Sequence, residues 1–421
     1  MKYRVVFILL FLPLVLGAQT TKKEVLANIS LTGGNYYSYP TPNCKYTPAP
    51  KGYKPFYISH YGRHGSRYMT SNKAYDYSIA IMDSAEAKGA LTSFGKNVLR
   101  RLKIVSKNAY KRDGDLSKLG ARQHQEIAYR MYKNYPELLS NPINIDAKAS
   151  TVRRCILSMS NFCQELRALN PNLKISMDAS EHDMWYMANE DDSIAKASTD
   201  KEEKIKVEEY KNTLVHPDRL ISLLFSNSDF VSNKVDRRKL MCDLFDVAGE
   251  MQCQPQLNLS FINLFTKEEL FDLWERTNIG WYYGEGFAPG TTPYYKAHYN
   301  LLRNIIYTAD DVIKSGKSCV TLRFGHDTMV APLAFILHLK GCCDVTDDID
   351  NIYKHWANFQ VVPMGANIQL IFYRKAGSND VLIKFLQNEH ESSIPVKTDC
   401  APYYHWKDVK AYYEAELAKA N

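Results

Sequence analysis

The chain runs to 421 residues, 45% of them hydrophobic and 24% charged, which excludes a disordered or collagen-like protein and leaves ample length for a large core. Lys and Arg number 53 against 46 Asp and Glu, a formal net charge of +7 spread along the chain without the dense basic tracts of nucleic-acid binders. The mild excess points to a local anionic site, with no nucleic-acid partner and no stable membrane insertion expected.

The first segment reads as an export signal. Lys2 and Arg4 precede the apolar run Val5–Leu16, and Gly17-Ala18 supplies small residues for cleavage after Ala18. That run is shorter than the ~20 residues a bilayer span requires, and no Cys follows Ala18. A soluble mature protein in the periplasm or outside the cell is therefore expected. The nine cysteines leave at least one unpaired or bonded to another chain. Cys242 with Cys253 is one candidate pair and Cys400 a candidate tie for the tail; buried thiols are the alternative. No CxxC pair occurs, which speaks against a zinc ribbon or a thioredoxin-type site.

Three stretches have strand character, and each ends in reactive residues. Phe56-Tyr57-Ile58 runs into His60-Tyr61-Gly62-Arg63-His64-Gly65. Ile143 to Ala147 alternates with period two and leads to Ser150-Thr151-Val152-Arg153-Arg154. Cys319 to Phe324 is β-rich and precedes Gly325-His326-Asp327. Helical periodicity follows the strands, from Ser117 to Tyr135 and from Cys155 to Leu169. Alternation of strand and helix predicts an α/β sheet, whose ligands collect at the carboxyl ends of parallel strands, so the three reactive stretches are expected to converge. Residues 19–169 and 301–421 are assigned to this core. A mostly helical cap is expected at 170–300, with 71–107 as a further candidate contribution. Ile368–Tyr373 and Val381–Leu386 flank Gly377-Ser378-Asn379-Asp380 and predict an antiparallel hairpin at the sheet edge.

Arg63-His64-Gly65-Ser66-Arg67 is the sharpest local signal. Two arginines flanking an imidazole after a strand can fork onto phosphate oxygens while the imidazole faces phosphorus. The bland reading is a basic surface loop, and a metal site is disfavoured because His60-Tyr61-Gly62-Arg63-His64 lacks a zincin glutamate. His326 and Asp327 place another imidazole and an acid at a strand end, where the acid can protonate a leaving oxygen. Arg154 at a helix start is a third candidate phosphate ligand. The acidic run Asp344–Asp350 lacks the glycine and terminal glutamate of a calcium loop and reads as solvated.

These elements, in this order, resemble the histidine acid phosphatases, the branch of the histidine phosphatase superfamily that contains phytases and multiple inositol polyphosphate phosphatases. The resemblance rests on Tyr57–Thr70 (RHGSRYMT against an RHGxRxPT-type motif), Gly114–Gly120, Ala149–Phe162, Arg323–Phe335 and Val362–Asn367. It implies a three-layer α/β core around a mixed sheet, with the helical insertion as a cap. It also implies that His64 is the nucleophile, that Asp327 is the proton donor, and that Arg63, Arg67, Arg154 and His326 bind phosphate. Thr70 falls at the motif threonine. Neither a metal nor another cofactor is implied. Met69 stands where the motif has Pro, Lys148 where fungal phytases have Arg, and His326-Asp327-Thr328 where animal-type inositol polyphosphate phosphatases carry His-Ala-Glu.

The resemblance implies a phosphomonoester hydrolase acting through a phosphohistidine, with inositol polyphosphates such as phytate as the favoured small-molecule substrate. Lys201, Lys204 and Lys206 are candidates for outer contacts and equally good as solvated helix charges. The alternatives are a general acid or sugar phosphatase with the same catalytic groups, and a catalytically silent phosphate-ligand binding protein. An acidic to neutral optimum is expected if Asp327 must be protonated. Burial near a polyanion would raise its pKa, and Arg63, Arg67 and Arg154 would lower it.

Overall fold

Strand β1 (Tyr53–Arg63) is buried without interruption from Phe56 onward, as a central strand covered by helices on both faces must be. It belongs to a computed structural model that describes residues 21–43, 45–188 and 201–419. The expected signal segment 1–18 and Cys44 lie outside the described residues, as does the side chain of Lys201. The other strands are β2 (Asn144–Ala149), β3 (Lys174–Asp178), β4 (Cys319–Gly325), β5 (Asn367–Lys375), β6 (Val381–Gln387), β7 (His390–Ser392) and β8 (Tyr403–His405). They form one sheet in the order β3-β2-β4-β1-β5-β6-β7, with β8 also paired to β6. β3, β2, β4 and β1 are mutually parallel, whereas β5 is antiparallel to β1 and β6 to β5.

Side chains of alternate strand residues enter two layers. Tyr57, Tyr61, Leu370 and Phe372 pack with Ile305, Leu333 and Val409 from helices Tyr299–Ser315, Asp327–Ile336 and Trp406–Ala418. Ile58, Leu322, Phe324 and Ile371 pack on the opposite face with Met131 and Phe162, from helices Lys118–Asn134 and Arg153–Leu169. The architecture is therefore the expected three-layer α/β core with a mixed sheet. A third apolar cluster lies in a helical lobe, where Met82, Val98, Leu102, Leu244 and Trp274 join helices Lys73–Ala87, Ser93–Ala109, Arg237–Glu250 and Lys267–Gly284. Val25, from the short helix Lys22–Ala27, is buried in the same cluster. The last long helix of the lobe starts with a reciprocal cap. Thr266 accepts from Glu269 N while Glu269 accepts from Thr266 N, a device whose removal costs about 0.5–2 kcal/mol.

Three details depart from the sequence-based expectations. β3 falls inside the span expected to be helical, because its five residues, mostly exposed, carry no long apolar run. The β5–β6 hairpin is not at the sheet edge, since β7 and β8 both pair with β6 beyond it. The eight described cysteines are all free, so the candidate Cys242–Cys253 pair is not formed. No helix among the described residues is long and apolar enough to cross a membrane.

Candidate active site

The parallel register brings three strand ends level. Arg63 lies opposite Gly325 and Ala149 opposite Phe324, so the chain leaves β1, β2 and β4 at the same rim of the sheet. Backbone hydrogen bonds continue past the strands, with His64 N donating to Gly325 O and Ser150 N to Phe324 O, both at 2.9 Å. Gly365 N reaches His64 O at 3.0 Å from the segment before β5. Behind the 64–67 loop crosses the N-terminus of helix Lys118–Asn134, capped by Ser117 accepting from Gly120 N at 3.2 Å. The contact is backbone to backbone: a Cβ on Gly65 would collide with the Gly120 backbone, and one on Gly120 with Ser66. Gly65 is thus required for close approach rather than for a left-handed turn.

His64 is buried, and its Nδ1 lies 2.9 Å from Gly65 O. A carbonyl oxygen only accepts, so Nδ1 carries the proton and Nε2 keeps its lone pair. Burial, then the charges of Arg63, Arg67 and Arg154, hold the imidazole well below its ordinary pKa, which keeps that lone pair available. Its ring is 5.8 Å from that of His326.

Arg63 is fully buried and tightly fixed. Nη1 donates to Asn35 O at 2.7 Å and Val362 O at 2.5 Å, and Nη2 lies 2.7 Å from Asp327 Oδ2. Arg67 Nη1 donates to Tyr68 O at 3.0 Å and to Tyr36 OH at 3.4 Å, and its guanidinium sits 5.1 Å from the centre of the Tyr36 ring. Arg154 Nη2 is 3.4 Å from His326 Nδ1, and the other ring nitrogen of His326 is 3.1 Å from Ser150 Oγ. Burial, with the charge of Arg154 next, lowers the His326 pKa to about 4. Arg154 and Asp327 both stand in the first turn of a helix, and neither helix has a side-chain hydrogen bond closing its N-cap. Two helix N-termini therefore add their partial positive charge to that of the three arginines, a setting suited to an anion.

Asp327 is buried beside Arg63. Burial pushes its carboxyl up, but Arg63, Arg67 and His326, with Asn35 Nδ2 at 3.5 Å, together outweigh it and hold the group below its ordinary range. Six of the seven expected residues, Arg63, His64, Arg67, Arg154, His326 and Asp327, are thus linked by contacts or mutual charge. Thr70 is different. It is exposed, and no hydrogen bond joins it to the others among the described residues; its Cγ2 lies near Gly114, which also faces Arg154 Nη1. Sequence reasoning missed Asn35 and Tyr36, which have no motif of their own and reach the site from 28 and 31 residues before Arg63 and Arg67.

The model of the histidine phosphatase superfamily, branch 2, matches residues 62–388. The chain belongs to that family. No curated protein sequence matches it. Among solved structures, the fold is similar to the Bifidobacterium longum multiple inositol polyphosphate phosphatase in complex with inositol hexasulfate. The TM-score is 0.79 at 17% identity, covering 92% of this chain and 98% of that one. The same enzyme in complex with phosphate gives a TM-score of 0.78 at 18% identity, with the same coverage. The phytase from D. castellii is more distant, with a TM-score of 0.63 at 15% identity over 93% of this chain and 85% of that one.

Against the family motif, two substitutions have visible consequences. Met69, in the place of Pro, uses the N–H that a proline lacks to donate to Glu250 Oε1 at 3.0 Å. Lys148, at the end of β2, forms an ion pair with Asp183 Oδ2 at 2.6 Å.

Proposed function

We propose that this protein hydrolyses phosphomonoesters through a phosphohistidine on His64. The carrying observation is the His64 tautomer: Nδ1–H is committed to Gly65 O, leaving Nε2 as the lone-pair nitrogen amid three arginines. In the first step Nε2 attacks phosphorus and the bond to the ester oxygen breaks. Asp327, protonated, gives its proton to the departing oxygen. In the second, water attacks phosphorus, the P–N bond breaks, and the Asp327 carboxylate takes the proton from water. Arg63, Arg67, Arg154 and His326 hold the non-bridging oxygens and stabilise their charge in both transition states. Thr70 contributes at the rim.

Inositol polyphosphates such as phytate are the favoured substrates. Support comes from family membership, from the ligand named with the B. longum enzyme, and from a cleft of about 500 Å³ that begins at Thr328, next to Asp327. Lys211, Arg276 and Trp281 line it, as do Asp246 and Glu285. The two acidic groups favour the second reading, a general acid or sugar phosphatase whose substrate carries fewer charges. Lys204 lines a neighbouring pocket that shares Lys211, Gly280 and Gly284 with this cleft. Residues 170–300 together with 71–107 are proposed as the cap over the site, and 1–18 as a cleaved export signal that delivers the protein to the periplasm or the medium.

Phosphate release from phytate and from para-nitrophenyl phosphate, in EDTA, tests the proposal with the wild type and His64→Ala. Release should survive EDTA and vanish in the variant, and the ratio of the two rates separates the two substrate readings. Absence of release from either ester across acidic and neutral pH would sink the enzymatic reading in favour of a phosphate-binding protein.

A further inference from the structure

Every loop N–H from His64 to Ser66, and again at Tyr68 and Met69, has an acceptor. Gly325 O, Ser158 Oγ, Gln123 Oε1 and Asp115 O take the first four, and Glu250 Oε1 takes the last. Glu250 is the only carboxylate in this set, and it comes from the helical lobe, at the end of helix Arg237–Glu250. Its side chain is fully buried. Oε1 also accepts from Gln254 Nε2 at 2.6 Å, and Gln254 Oε1 accepts from Asn108 Nδ2 at 2.6 Å, so the carboxylate is fixed from behind by two further lobe residues. Oε2 has no hydrogen-bond partner among the described residues. A half-satisfied buried carboxylate is a costly way to hold an ordinary loop.

What the loop carries explains the cost. Met69 is two residues after Arg67, whose guanidinium is otherwise held by its own loop, through Tyr68 O, and by a long contact to Tyr36 OH. Burial raises the Glu250 carboxyl, and the hydrogen bonds from Met69 N and Gln254 and then the charge of Arg67 lower it, for a net value of about 7. The turn that follows Arg67 is held to the 114–116 segment through Tyr68 N to Asp115 O at 3.0 Å and Gly114 N to Met69 O at 2.6 Å. With no proline ring at position 69, the hydrogen bond from Met69 N to Glu250 is the further restraint that comes from helix Arg237–Glu250. We propose that Glu250 is a positioning residue: it reaches from the helical lobe to Met69 N–H and so sets Arg67 against the phosphate site beside His64. This rests on the reading of Arg67 as a phosphate ligand.

The test combines steady-state hydrolysis of a phosphomonoester with calorimetric binding of inorganic phosphate. Glu250→Ala should raise both KM and the phosphate Kd by about tenfold, equivalent to about 1.4 kcal/mol. Glu250→Gln, whose amide oxygen accepts both bonds, should stay within about twofold of wild type. In the Met69→Pro background, where the donor is gone, Glu250→Ala should change neither constant further. Equal effects of Glu250→Ala in both backgrounds, or unchanged constants in the single variant, would overturn the role. Should the alanine variant not fold, Glu250→Asp withdraws the carboxylate by one methylene and is read the same way. A wild type that neither binds phosphate nor cleaves either ester would instead sink the proposed function itself.

Discussion

Replacing Asp327 with Asn tests the proposed proton donation separately from phosphate binding. Arg63 Nη2 lies 2.7 Å from the Asp327 carboxylate, and the net effect of its surroundings is to hold the group below its ordinary 3.8. At a pH two units above that value, under about 1% of free sites carry the proton. Donation therefore depends on the substrate, whose phosphate offsets the arginine charges and raises the Asp327 pKa once bound. Two results are expected. On the alkaline side, kcat for an inositol phosphate, which reports the substrate-bound enzyme, should fall about tenfold per pH unit in the wild type and lose this limb in Asp327→Asn. The variant should lose about 10²–10⁴ in kcat on the alcohol ester, or about 3–5 kcal/mol of barrier, and much less on para-nitrophenyl phosphate, whose phenolate leaves without a proton. Equal losses on the two esters, or survival of the limb in the variant, would refute the assignment. The same substitution has a sign for stability. A depressed folded pKa contributes stability that is present above the unfolded value near 3.9 and lost as pH falls through the folded one. Asp327→Asn should accordingly be less stable than wild type at pH 7, with the gap closing in strong acid.

Two more outcomes follow from the buried histidines and the N-terminus. His60 and His124 are buried against Phe162 and Phe324, and burial lowers both to about 3; His298 and His326 are lowered to about 4. Because the unfolded chain takes up these protons first, near pH 6.5, the contribution of these histidines is intact above that value and falls below it. At pH 5 each imidazole kept neutral costs about 2 kcal/mol, so His60 and His124 alone remove about 4. Burial raises Glu250 and Glu275 to about 7 and Asp246 to about 6, which acts in the opposite sense over the same window. The histidine part is therefore read by urea unfolding of the wild type and of His124→Phe at both pH 7 and pH 5; an equal pH 7 to pH 5 difference in the two proteins would contradict the neutral burial of His124. Intact mass of the protein recovered from a secreting host should begin at Gln19; a chain retaining residues 1–18 would refute the export reading.

The site was legible where chemistry follows directly on a strand. β-rich runs ending in Arg63-His64, Arg154 and His326-Asp327 announce both the sheet and its reactive rim, because in a parallel arrangement the period-two pattern and the residues just past it share one cause. β3 was not legible, since its Lys174–Asp178 has little apolar content and sits at the sheet's open margin. Asn35, Tyr36 and Glu250 escaped for a different reason. Each acts on the motif from a segment remote in sequence, through one backbone carbonyl, one ring face or one carboxylate, and a single contact leaves no periodicity. Met69 was the exception that carried a trace. Its departure from the family proline frees an N–H that, once buried, must find an acceptor, and the acceptor it found is a carboxylate in the other lobe. A change that reads along the chain as a loss of loop stiffness thus becomes, in three dimensions, a link between the helical lobe and the loop that carries Arg67.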